Sequence, residues 1–244
     1  MKPFLLLATR AEDDVADEEY ETICRFSGLA ESRLHRVRLE AGPMPAVDLD
    51  RYSGVVVCGS PFNSSDPPEL KSQVQRRAES EMRELLDEVV VRDFPFLGAC
   101  YGVGTLGTHQ GAVVDRSRGE EIDAIEVTLT EEGRRDPLLR QLPPAFHGFV
   151  GHKEGTRTLA PAAVLLATGA RCPVQMFRIK QNLYATQFHP ELDSTALLNR
   201  IEAYKDHGYF PAGTAEDVKD RVRSAPPVTE PARILAAFVD RFAR

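Results

Sequence analysis

The sequence predicts an α/β fold: an open, mainly parallel twisted sheet with helices on both faces and some antiparallel strands. Three observations carry that expectation. In the first half of the chain, short apolar runs bounded by polar or turn residues alternate with a longer stretch of helical periodicity, the pattern of βαβ units. In the middle, an alternating run and several closely spaced apolar runs take over, as in antiparallel strands attached to such a sheet. The 244 residues, 42% hydrophobic and 27% charged, have an ordinary globular composition and enough length for a sizeable buried core.

Taken in order, residues 4–8, 52–58 and 94–98 are short apolar runs and read as buried strands. Between the last two, residues 69–91 place Leu70, Val74, Ala78, Met82, Leu85 and Leu86 at helical spacing. Asp66, Pro67 and Pro68 just ahead supply a capping residue and the prolines that a helix start tolerates. Residues 122–130 alternate and read as a half-exposed strand, and 163–168, 174–179 and 183–187 follow at hairpin-like spacing. Helices are expected over 194–206 and 230–242, with 209–227, which carries Gly, Pro and charge, as a surface excursion. No repeat, low-complexity tract or linker divides the chain, so residues 1–244 are expected to form one domain with a C-terminal helical extension.

Composition narrows the function classes. Thirty Lys and Arg against 37 Asp and Glu leave a formal charge of −7, the wrong sign for a chain whose main partner is nucleic acid. No apolar run approaches the roughly 18 residues of a membrane span, and residues 4–8 are shorter than a signal h-region and followed closely by charge. Cys24, Cys58, Cys100 and Cys172 are scattered without a C-x-x-C pair, which reads as reduced thiols in a cytoplasmic protein.

The sharpest local signal is Gly98-Ala99-Cys100-Tyr101-Gly102. An apolar strand runs into it and a small-residue helix follows. A nucleophile on a tight strand-to-helix turn needs little bulk two residues before and after it, which the glycines provide. A sulfur at the first amides of a helix is also favoured as thiolate by the dipole. The alternative is a buried structural cysteine in a Gly-rich turn. A competing pattern overlaps: Gly102-Val103-Gly104-Thr105-Leu106-Gly107 is formally G-x-G-x-x-G, with Glu120 and Glu121 downstream where a dinucleotide fingerprint has its acidic residue. That reading leaves Cys100 unused.

The second signal is Gln187-Phe188-His189-Pro190-Glu191, closing an apolar strand. If the extended course continues, His189 and Glu191 face the same way. A carboxylate beside an imidazole fixes its tautomer and stabilises its charged form, as in a nucleophile–base–orienter triad. An ordinary strand-end histidine with a solvated glutamate is the alternative. A metal site is a third, with His147 and His152 nearby, but no second ligand cluster has suitable spacing. Together, Cys100 and His189-x-Glu191 put nucleophile, base and orienter at the C-terminal edge of a parallel sheet, where open α/β folds bind ligands.

These two motifs, in this order, resemble the class I, triad-type glutamine amidotransferases, in particular the glutaminase domain of GMP synthetases. The resemblance covers roughly residues 55–192 and takes in Cys58-Gly59-Ser60-Pro61, similar to the family's strand-end glycine loop. Gly151-His152-Lys153-Glu154 resembles the family's Ser-His-x-Asp segment at the substrate-binding wall. The resemblance implies a flavodoxin-like sheet and acyl transfer. Cys100 would attack a side-chain carboxamide, and backbone N–H groups of Gly59 and Tyr101 would hold the oxyanion. His189 would serve as acid and then base, with Glu191 orienting it. It implies no metal and no cofactor.

Two positions depart from the family pattern. Gly104 stands where the family commonly has a glutamine that helps hold the substrate, and Gly-His-x-Glu replaces Ser-His-x-Asp. Both bear on substrate binding rather than on the triad. Loss of a side chain at Gly104 is expected to enlarge the pocket, so that restoring Gln there would strengthen glutamine binding. There is no ATP pyrophosphatase region and no G-x-x-x-x-G-K-[ST] loop. The partner expected is therefore glutamine, with ammonia passed to a separate synthase subunit, or another γ-glutamyl compound hydrolysed by the chain alone. A non-catalytic binding protein on the same fold is the remaining alternative.

Overall fold

A computed structural model describes residues 1–206, 210–211 and 213–244. Five strands form the parallel part of one nine-stranded sheet: β1 (Phe4–Ala8), β2 (Leu34–Arg38), β3 (Val55–Val57), β4 (Phe96–Ala99) and β11 (Leu183–Thr186). The antiparallel part holds β6 (Glu120–Leu129), β7 (Ala145–His152), β9 (Ala163–Thr168) and β10 (Met176–Ile179). The sheet order is β2-β1-β3-β4-β11-β10-β9-β6-β7, and β5 (Val113–Asp115) pairs separately with β8 (Gly155–Thr158). β11 joins the two halves, running parallel to β4 and antiparallel to β10.

The predicted strand runs lie within or overlap these strands, while β2, β5, β7 and β8 are additions that the structure makes. β2 escapes prediction because its residues Leu-His-Arg-Val-Arg are mostly polar and, apart from Leu34, only half-buried or exposed. The apolar strands β1, β3 and β4 are buried along their whole length, as strands covered on both faces are.

Helices cover both faces. On one, α2 (Gln73–Val91) and α3 (Tyr101–His109) bury Met82, Leu86, Val89, Val103 and Leu106 against Leu5, Val57 and Phe96. On the other, α1 (Asp13–Ser27) and α7 (Ala232–Phe242) close a core around Phe4, Leu6, Ile23, Leu97 and Phe238. A short helix, α4 (Glu131–Arg135), follows β6. α2 starts later than the prolines suggest: Ser72 is its cap, accepting from Gln75 N at 3.0 Å, and Leu70 is 75% exposed ahead of it.

The expected excursion over 209–227 is corrected in its main part, with residues 209 and 212 lying outside those described. It contains α6 (Ala215–Ser224), whose Val218 and Val222 bury against Phe149 and, on α5 (Ser194–Ala203), Leu197 and Ile201. Its composition is charged because it buries little besides those two valines, and two valines four residues apart are a weak helical signal. Among the described residues, no helix is long and apolar enough to cross a membrane.

Candidate active site

β4 delivers Cys100 at its C-terminal end. The backbone there is forced: Cys100 sits at φ 51° and ψ −81°, a region L-residues seldom occupy. It is held by its own N–H, which donates to Thr186 O at 2.7 Å, and by helix α3 starting at the next residue. Of the two flanking glycines, Gly98 answers a close approach, while a Cβ on Gly102 would meet nothing within 4 Å. A Cβ on Gly98 would lie 2.6 Å from Gly102 Cα, so strand and helix come too near each other at the turn for a side chain.

β11 delivers the second half. Its ladder ends at Thr186, so His189 and Glu191 meet in a turn rather than along a continuing strand. That turn is fixed by His189 N donating to Phe149 O at 2.9 Å and by Thr186 Oγ1 donating to Phe188 O at 2.9 Å. His189 Nδ1 and Glu191 Oε1 are 2.6 Å apart, and both side chains are almost fully buried. Burial opposes the charge on His189, but the carboxylate of Glu191 and the facing Cys100 side chain outweigh it and raise the imidazole pKa. Burial likewise opposes the charge on Glu191, and His189 together with Arg200 lowers its pKa overall. Burial pushes the thiols of Cys24 and Cys58 up and that of Cys172 to about 11. Cys100, half-buried like Cys24, lines two recesses.

Gly59 follows β3 and packs on the imidazole: a Cβ there would lie 2.6 Å from His189 Cε1. Among the described residues, neither the Gly59 amide nor the Tyr101 amide donates to another protein group. Both are open donors beside Cys100, as an oxyanion site requires.

The first recess beside Cys100 is bounded by Pro61, Tyr101, Gly151, Lys153 and Gln187. Gln187 is buried, with Oε1 lacking a partner and Nε2 3.9 Å from Cys100 Sγ. His152 also lines the recess, but its ring is committed: Nδ1 lies 2.7 Å from Glu154 O and Nε2 2.9 Å from Glu120 Oε2. Glu154 in turn accepts from Ser64 N, Ser64 Oγ and Ser65 N at 2.7–2.8 Å, pinning the loop after β3.

That latch overturns the expectation for Gly104. A Cβ on Gly104 would overlap Ser64 Oγ and come within 3.0 Å of Glu154 Oε1. The missing side chain therefore leaves no enlarged pocket, because Ser64 and Glu154 take its space.

The second recess shares Ser60, Cys100 and Gly151 with the first and includes residues to which the motifs do not point. Arg10 follows β1 and pairs with Glu19 at 2.8 Å, with side chains 4% and 1% exposed. Arg200 of α5 reaches Glu19 at 3.2 Å and Glu191 at 3.6 Å. Burial opposes the Arg10 charge, but Glu19 and Tyr204 outweigh it and keep Arg10 cationic. The available signal is positional: Thr9-Arg10 directly after a buried strand sits at the edge where ligands bind.

The remaining sequence candidates separate from this centre. Glu120 is spent on His152 and Gln175, and Glu121 is exposed and faces Arg221 at 3.3 Å. The carboxylates that the dinucleotide reading needs are thus engaged elsewhere. His147 and His152 lie on opposite sides of β7, and among the described residues no group of three or more His, Cys, Asp or Glu could hold a metal ion.

Comparison with known proteins identifies the family and the fold. A family model for class-I glutamine amidotransferases matches residues 24–203. A subunit of the glutamine-hydrolysing GMP synthase of Thermoplasma volcanium is 28% identical over 148 residues, 60% of this chain and 66% of that protein. Gamma-glutamyl peptidase 3 of Arabidopsis thaliana is 23% identical over 195 residues, 77% of this chain and 72% of that protein. The crystal structure of a glutamine amidotransferase from Thermotoga maritima superposes with a TM-score of 0.74 at 22% identity, covering 99% of this chain and 98% of that one.

Proposed function

The chain belongs to the class-I glutamine amidotransferase family, and on that premise we propose that it is a single-domain thiol hydrolase of γ-glutamyl carboxamides, glutamine among them. The observation that supports this best is the buried His189–Glu191 pair set against a half-buried Cys100 at a strained strand-to-helix turn.

The chemistry follows from the geometry. Cys100 gives its thiol proton to His189 and its Sγ attacks the γ-carbonyl carbon, and the oxygen charge that develops is held by the open amides of Gly59 and Tyr101. His189 gives its proton to the departing nitrogen as the C–N bond breaks, leaving a γ-glutamyl thioester. The same imidazole then activates water, glutamate leaves and the thiol is restored. Glu191 holds the ring by Nδ1, so that Nε2 serves the reaction. The γ-glutamyl group occupies the first recess along Gly151 and the main chain of the His152 segment. Gln187 Oε1, a buried acceptor without a partner, receives its α-ammonium group.

Two readings of the leaving group have support. Similarity to a GMP synthase subunit favours ammonia passed to a separate synthase subunit. Similarity to a gamma-glutamyl peptidase, together with the second recess, favours a chain that hydrolyses larger γ-glutamyl amides alone. Four free cysteines, none of them paired, support a reducing, cytoplasmic setting. The test is release of glutamate from glutamine and from γ-glutamyl amides by the purified chain and its Cys100→Ala variant. Equal release by both would refute the thiol mechanism.

A further inference from the structure

Besides the γ-glutamyl recess, Cys100 opens onto a second recess that is continuous with solvent. Its walls are chemically divided. One side is apolar, built from Ile122 of β6, Val150 of β7, Leu192, and Leu197 and Ile201 of α5. The other carries Arg10 and Ser60.

Those two polar residues are only partly used. Arg10 Nε donates to Glu19 and Nη1 to Tyr204, while Nη2 has no partner among the described residues. Nη2 lies 3.2 Å from where a Cβ on Gly59 would stand, close to the amide assigned to the oxyanion. Ser60 Oγ accepts from Thr9 Oγ1 at 2.7 Å and from Phe62 N at 3.0 Å, so its own proton remains to be donated. Arg200, also in the wall, keeps a buried Nε without a partner. A cationic donor and a hydroxyl donor close to the scissile bond, facing an aliphatic wall, match one kind of leaving group. It is an α-amino acid, whose carboxylate is two bonds from the nitrogen that leaves and whose side chain extends beyond it.

We infer that the second cavity is a leaving-group site for an α-amino acid with an apolar side chain, so that γ-glutamyl dipeptides ending in residues such as leucine are the substrates. Arg10 Nη2 and Ser60 Oγ hold the free carboxylate, and the Ile122–Leu197–Ile201 wall holds the side chain. This inference rests on the proposed thiol mechanism. The reaction balances as hydrolysis: water is consumed, the amide C–N bond breaks, and glutamate and the free amino acid leave.

The test compares kcat/KM of the unmodified chain for glutamine, γ-glutamyl-leucine, γ-glutamyl-leucinamide and γ-glutamyl-aspartate. A leucine side chain desolvated in the cavity and a charge-assisted carboxylate contact predict at least about tenfold preference for γ-glutamyl-leucine over each of the other three. In an Ile122→Trp variant, which narrows the cavity from a half-buried position, the ratio of γ-glutamyl-leucine to glutamine turnover falls about tenfold or more. Glutamine hydrolysis with equal or lower turnover of γ-glutamyl-leucine overturns the leaving-group site while the thiol mechanism stands. Turnover of none of the four, with Cys100 refractory to alkylation by a chloroketone analogue of glutamine, overturns both.

Discussion

Glu191 Oε1 lies 2.6 Å from His189 Nδ1 and 3.6 Å from Arg200 Nη1, with no more than 2% of the glutamate side chain exposed. One carboxylate thus ties the imidazole to a guanidinium that also reaches Glu19. Replacing it removes the ring's orienting partner without changing its volume. Glu191→Gln should lower kcat by about 10²–10⁴, the range in which loss of an orienting carboxylate falls. Steady-state kinetics with KM little changed is the expected signature, and unchanged kcat would remove Glu191 from the mechanism.

The same pair makes stability depend on pH, with opposite signs at the two ends. His189 has its pKa raised in the folded state, so its contribution is complete below its ordinary value of 6.5 and declines as pH rises through the folded value. Glu191 has its pKa lowered, so its contribution is complete above its ordinary value of 4.5 and declines as pH falls through the folded value. The Tm difference between the parent and Glu191→Gln should therefore be largest between pH 4.5 and 6.5. Thermal melts on either side of that window check this; a difference that grows steadily toward alkaline pH would contradict it.

Gly59 is predicted to tolerate no side chain. With a Cβ 2.6 Å from His189 Cε1, Gly59→Ala must move either the imidazole or the loop carrying the oxyanion amide. A loss of about 10²–10³ in kcat is expected, comparable to loss of one oxyanion donor. Circular dichroism should show the fold retained, since only the loop and the ring are displaced.

Gly104→Gln is predicted to weaken binding of the γ-glutamyl group. The new side chain collides with Ser64 and crowds Glu154, which holds Ser64 and Ser65 by three hydrogen bonds. Releasing that loop disorders one wall of the recess, so KM for glutamine should rise several-fold. A lower KM would show that the latch adapts and that the family glutamine can be restored.

Much of this is legible in the residues because function and fold coincide at Cys100 and His189. Gly98 is required by a backbone approach at the turn, which makes that part of the motif visible as a small residue, while a Cβ on Gly102 would meet nothing within 4 Å. His189-x-Glu191 is legible as a pair, although its geometry comes from a turn anchored on Phe149 rather than from strand periodicity. Arg10, Glu19 and Arg200 are not legible, since they converge from the end of β1, from α1 and from α5 only after the sheet is assembled. Gly104 misleads for a related reason. Sequence shows which side chain is missing, whereas what occupies its space is a loop 40 residues earlier and a glutamate 50 residues later.

The central claim is that Cys100 is a nucleophile facing a γ-glutamyl recess, and the most direct measurement is intact-mass labelling with a chloroketone analogue of glutamine. One adduct, mapped to Cys100 and suppressed by excess glutamine or γ-glutamyl-leucine, is the result predicted. A protein that stays unlabelled, or that is labelled equally at Cys24 and in the Cys100→Ala variant, would contradict it.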